Sequence, residues 1–81
     1  MEPAEAFGKV LRQLRRKAGL TQEQLGLDAD LRRTFVSYLE LGQQQPTLTT
    51  ILKLANALNC AAKDIVGLVE SELRRAPRSK T

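Results

Sequence analysis

The stretch from Gln22 to Leu41, QEQLGLDADLRRTFVSYLEL, constrains the fold more than any other part of the chain. Apolar residues recur there at helical spacing in two short runs, Leu25 and Ala29 in the first and Val36 and Leu39 in the second. A turn of about three or four residues separates them, so two short helices must cross at a steep angle. That crossing restricts individual positions. Gly26 has to be small, because the second helix passes close to it. Asp30 falls in the tight turn, where a positive φ is usual, and Asp tolerates the left-handed region better than most residues. Leu31 plugs the turn. The second helix keeps Arg33, Thr34, Ser37 and Tyr38 outward, a polar face that folding does not need.

The rest of the chain also reads as helix, without the alternation of a strand. A first helix is expected from about Ala4 to Lys17, with Phe7, Val10, Leu11, Leu14 and Ala18 on one stripe and Gly19 as its stop. Thr21 and Gln24 have the spacing of a capping box for the second helix, which should end near Ala29. The third is expected from about Arg33 to Leu41, stopping at Gly42, and Gln43, Gln44, Gln45 and Pro46 form a polar loop. Thr47 caps a fourth helix, whose expected apolar face is Leu48, Ile51, Leu52, Ala55 and Leu58. A fifth runs from about Ala62 to Leu73, with Ile65, Leu68, Val69 and Leu73 on one stripe. The fold class is therefore all-α: one five-helix domain over residues 1–73 and a flexible tail over residues 74–81.

A chain of 81 residues buries little surface, and Cys60 is its only cysteine, so no disulfide can add stability. Dimerisation is the remaining common source of buried area, and the lone thiol suits a reducing compartment. Cys60 reads as a small apolar residue in the core. The chain has no histidine, which excludes a Cys/His zinc site and imidazole catalysis. With no glycine-rich phosphate loop either, an enzyme is not expected, nor a cofactor, a metal or a small-molecule ligand. No apolar stretch reaches the length of a membrane span, and Met1 to Phe7 lack the basic residues of a signal peptide, so the expected location is cytoplasmic.

Net charge is +4, but this does not by itself indicate nucleic acid. Arg74, Arg75, Arg78 and Lys80 lie in the tail; without them the 13 basic residues fall to nine, matching the nine acids. The informative charge is local. Between Arg32 and Tyr38 there is no acid, and arginine can bond bidentately to guanine, worth about 1–3 kcal/mol of discrimination per good pair. Thr and Tyr can reach phosphate or a thymine methyl, and loop amides suit phosphate oxygens.

The run LTQEQL, the stretch from Leu31 to Gly42 and the following Pro46-Thr47-Leu48 together resemble the lambda-repressor/Cro-like family, often called the Xre family, over roughly Phe7 to Ile65. The resemblance implies a lambda-repressor-like fold and a regulator that binds specific double-stranded DNA as a homodimer on a roughly palindromic operator. It also implies roles by position. Arg32, Arg33, Thr34 and Tyr38 match base-reading positions, with phosphate as the rival contact for Arg32. Gln22, Gln43, Gln44 and Gln45 match phosphate contacts, and Ser37 joins them from the outward face. Arg15 and Glu40 match a salt bridge between the first and third helices. The turn departs from the family's usual glycine at Asp30, and the usual Ser, Thr or Asp cap is replaced by Arg32.

The expected dimer surface is Ile65, Val66, Leu68, Val69 and Leu73 on the fifth helix. A restriction–modification controller, a phage-type repressor or an antitoxin-like regulator would each fit this size. The rival class is a helical protein-interaction module that uses the same fold without specific DNA binding, which an outward Leu27 and Leu41 would favour. Arg12, Arg16 and Lys17 read as the solvated face of the first helix.

Overall fold

A computed structural model describes residues 1–75 of the chain. They form five helices: α1 (Pro3–Lys17), α2 (Gln22–Ala29), α3 (Arg33–Glu40), α4 (Leu48–Ala57) and α5 (Ala62–Arg75). No strand occurs among the described residues. α1 is the centre of the arrangement, packed on one side against α5 and on another against α3. α2 lies between α3 and α4, and α4 closes against α5.

The helix starts follow from local chemistry. At α2, Thr21 Oγ1 accepts from Gln24 N–H at 3.0 Å and Gln24 Oε1 accepts from Thr21 N–H at 2.8 Å, the reciprocal box its spacing predicts. Thr47 Oγ1 likewise accepts from Thr50 N–H at 3.1 Å to start α4. α1 begins one residue before the expected Ala4. Pro3 is tolerated at a helix start because it needs no N–H there, and Glu5 Oε1 accepts from Glu2 N–H at 2.9 Å.

The core joins Phe7, Val10 and Leu11 of α1 to Leu25 and Ala29 of α2, Val36 and Leu39 of α3, Leu54 and Ala55 of α4, and Ile65 of α5. Leu11, Leu25, Leu39, Leu54 and Ile65 are fully buried, each contributing roughly 1.5–3 kcal/mol relative to exposure. Gly8 lets α1 and α3 approach closely. A Cβ there would lie 2.4 Å from the Leu39 carbonyl oxygen, so α1 and α3 can meet only over a glycine.

Three expectations need correction. On α4, Leu48 and Leu52 are exposed (71% and 53%), and Thr50 and Leu54 point inward instead. Thr50 is tolerated there because its hydroxyl bonds to that of Thr47 at 3.1 Å. On α1 the inward stripe ends at Leu14, and Ala18, the C-cap, is exposed. α5 continues two residues past Leu73, so Arg74 and Arg75 are helical rather than part of a tail. Glu72 holds that end down, its side chain 8% exposed and bonded to Lys9 Nζ at 2.8 Å, with Arg75 at 3.7 Å. The remainder of the expected tail, residues 76–81, lies outside the described residues.

Candidate nucleic-acid interface

The turn between α2 and α3 sets the interface. α2 ends at Asp30, which adopts the left-handed conformation (φ 57°, ψ 48°), and the chain reverses so that Leu31 N–H donates to the Gly26 carbonyl at 2.8 Å. The need for glycine at position 26 arises in the turn itself: a Cβ would lie 2.6 Å from the Leu31 carbonyl oxygen. The nearest atom thus belongs to the backbone that leads into α3, and the start of α3 follows closely, with Arg33 N at 3.5 Å. Leu31 is half-buried and packs on the core.

Arg32 is the N-cap of α3, extended at φ −72° and ψ 144°, and no side chain caps the helix. The first helical bond is Val36 N–H to the Arg32 carbonyl, so the N–H groups of Arg33, Thr34 and Phe35 precede the ladder. The positive end of the helix dipole therefore points outward beside two guanidinium groups, with no acid in the first turn. Val36 and Leu39 anchor the opposite side, and Phe35 is partly buried against them. Arg32, Arg33 and Thr34 are exposed, Tyr38 is 44% exposed one turn further on, and Ser37 is half-buried at the edge of that face. The structure thus brings Arg32, Arg33, Thr34, Ser37 and Tyr38 onto one helix. Gln43, Gln44 and Gln45 are exposed in the loop that follows, tied back by Gln43 N–H to the Tyr38 carbonyl at 2.9 Å.

Gln22, at the start of α2, borders an open cleft with Arg15, Gly19, Leu20, Thr21, Glu23 and Arg33. Arg15 and Glu40 form a bidentate ion pair beneath it, Arg15 Nε to Glu40 Oε2 and Nη2 to Oε1 at 2.9 Å, with side chains 12% and 3% exposed. The bond to Glu40 raises the Arg15 pKa further above its already high value. Gln22 Nε2 also donates to Glu40 Oε1, at 3.1 Å. This third donor is not legible in the sequence, because the two residues lie on different helices and nothing local relates them.

Elsewhere the structure departs from the expected dimer surface. Ile65 is 0% exposed and belongs to the core, so it cannot face a second chain. Val66 and Leu68 are exposed (43% and 45%), whereas Val69 and Leu73 are half-buried. Val66 and Val69 line an apolar groove with Pro3, Phe7, Pro46 and Ile51, and Gln45 at its edge. Leu27 and Leu41 are both outward (77% and 62% exposed). Cys60 is half-buried against the core, and burial, then Asp64, push its thiol pKa up, which disfavours the reactive thiolate. Among the described residues no His, Cys, Asp or Glu cluster could hold a metal ion, and no helix is long and apolar enough to cross a membrane.

Residues 11–65 match the family model described as Helix-turn-helix. The chain is a helix-turn-helix protein. Its family is one of DNA-binding transcriptional regulators. Over 61 residues, 74% of this helix-turn-helix protein and 75% of the relative, it is 38% identical to control protein C.BamHI of Bacillus amyloliquefaciens. The crystal structure of the restriction-modification controller protein C.AhdI from Aeromonas hydrophila superposes with a TM-score of 0.75 at 40% identity, covering 76% of this chain and 94% of that one. The controller C.Esp1396I, solved as a tetramer in complex with its natural 35 base-pair operator, shares the fold with a TM-score of 0.84 at 20% identity, over 93% of this chain and 99% of that one.

Proposed function

We propose that this protein is a restriction-modification controller that acts in the cytoplasm as a homodimer on a roughly two-fold operator. The observation that carries the reading is the uncapped start of α3, which leaves two guanidinium groups and free N–H groups on a face the core does not use. Arg33, Thr34 and Tyr38 read base edges, with Arg32 reading a base or gripping phosphate at the helix start. Gln22, Ser37 and the Gln43–Gln45 loop hold phosphates on either side. The similarity to C.BamHI and C.AhdI supports the controller role.

One α3 contacts only a few base pairs, so two copies about one DNA turn apart are needed for a specific site. The dimer surface we assign is the Val66 edge of α5 with the outer sides of Val69 and Leu73; Leu68, two residues on from Val66, is exposed on roughly the opposite edge of the helix and is left out of it. The surface extends onto α4 through the exposed Leu48 and Leu52. Selection of bound duplexes from a random pool tests the reading. A palindromic consensus is the expected result; no enrichment would refute it.

A second reading, a protein-interaction module, is favoured by the exposed Leu27 beside the turn and Leu41 at the end of α3. DNA affinity that falls steeply with salt while retaining preference for one sequence separates the regulator from this alternative.

A further inference from the structure

The Glu40 carboxylate is buried and fully engaged by donors from two other helices. Oε2 accepts from Arg15 Nε; Oε1 accepts from Arg15 Nη2 and from Gln22 Nε2. The remaining arm of the guanidinium, Arg15 Nη1, donates to the Leu20 carbonyl at 2.9 Å, in the link between α1 and α2. The end of α3 therefore fixes the C-terminal part of α1, the link and the first residue of α2 together.

A carboxylate only accepts, so Gln22 must turn its NH2 group toward Glu40 and its carbonyl oxygen away. One amide proton is committed to Glu40. The second, with the carbonyl oxygen, is left for the cleft that Gln22 shares with Arg33. The Arg15 charge cancels that of Glu40, so the acid can sit close to a DNA contact without repelling phosphate. A free glutamine loses considerable rotamer entropy when it is ordered on binding, and one already held loses less.

We propose that Glu40 is a positioning residue for DNA binding: it fixes the orientation of the Gln22 amide and so sets which group Gln22 offers to the backbone of the bound duplex. This rests on the reading of Gln22 and Arg33 as DNA contacts. A purely structural Glu40 would need Arg15 but not Gln22, and that difference is measurable.

The test is a double-mutant cycle on the affinity for a duplex selected from the random pool, with Gln22→Ala, Glu40→Gln and the pair together. Each single change is expected to weaken binding about tenfold, the size of one lost bond to a charged group, and the double change by about the same tenfold. The salt dependence should not move in Gln22→Ala, which removes no cationic contact to phosphate. Losses that multiply to about a hundredfold in the double variant, or wild-type affinity in Glu40→Gln, would overturn the proposal. Glu40→Gln also weakens the tie between α1 and α3, so a second measurement uses the unaltered protein. The Gln22 side-chain amide should be rigid in nitrogen-15 relaxation while those of Gln43, Gln44 and Gln45 are mobile; equal mobility refutes the proposal. Arg33→Ala serves as the control. If Arg33→Ala weakens binding and the cycle is additive, only the positioning role fails. If the duplex pool yields no ligand, or Arg33→Ala has no effect, the reading of the DNA face fails and the positioning role with it.

Discussion

Two regions of the molecule, α3 and the pair α4 and α5, carry opposite kinds of surface. α3 buries Val36 and Leu39 and turns arginine, threonine and tyrosine to solvent. α4 and α5 bury Leu54 and Ile65 and turn further leucine and valine to solvent. Both regions satisfy the core, so folding alone does not account for the difference outside it. A polar face rich in donors suits a hydrated, charged groove. A face with Leu48, Leu52 and Val66 exposed suits another apolar surface. In our reading one protein thus presents one surface to DNA and another to its own copy.

The largest expected effect removes the comparison altogether. Gly8→Ala places a methyl group against the Leu39 carbonyl, and neither backbone can yield without separating α1 from α3. A loss of about 3 kcal/mol is expected in a denaturant titration, at the upper end for overpacking. A loss below about 1 kcal/mol would mean that the helices adjust more easily than the geometry implies.

Arg33→Ala tests the polar side. Operator affinity should fall by about 1–3 kcal/mol while the melting temperature stays within a degree or so. A mobility-shift titration with unchanged affinity would overturn the reading of α3 as the DNA face. Leu52→Glu tests the apolar side. Sedimentation should show the dimer dissociating at concentrations where the wild-type chain associates, with the helical circular dichroism unchanged. Unaltered association would move the dimer surface off α4 and leave α5 alone.

The smallest effect concerns how α5 is held. Its bond to Lys9, and to a lesser extent the charge of Arg75, keep the Glu72 carboxyl below the ordinary carboxylate range. A lowered folded value stabilises the fold above the unfolded pKa, and that contribution disappears as pH falls through the folded value. Lys9→Met should therefore melt earlier than wild type at neutral pH, and the gap should close in acid. A gap independent of pH would assign the effect to packing rather than to the ion pair.

Much of the α2–α3 geometry was legible from residue types. Gly26, Asp30, Leu31, Val36 and Leu39 each answer a constraint that acts within a few residues, and the Thr21 and Thr47 caps do the same. α4 was less legible. Leu48 and Leu52 lie beside Ile51 and Ala55 in angle, and periodicity does not say which edge of a broad apolar arc meets the core. Ile65 and Val66 pose the same problem on α5: neighbouring apolar side chains, one fully inside and one not. The bonds of Gln22 to Glu40 and of Lys9 to Glu72 join distant parts of the chain, and charged residues on helix surfaces carry no local sign of such partners. The roles of the outward residues came from chemistry and resemblance, and DNA-binding measurements are what decide them.

Arg32 occupies the position where a Ser or Asp would accept a hydrogen bond from the first turn of α3. Replacing it by Ser should strengthen the isolated domain by about 1 kcal/mol. In our reading the same change would also take a guanidinium from the helix that faces DNA. At this position thermostability and recognition pull in opposite directions, so a variant chosen only for resistance to heat would drift toward a better folded and less discriminating protein.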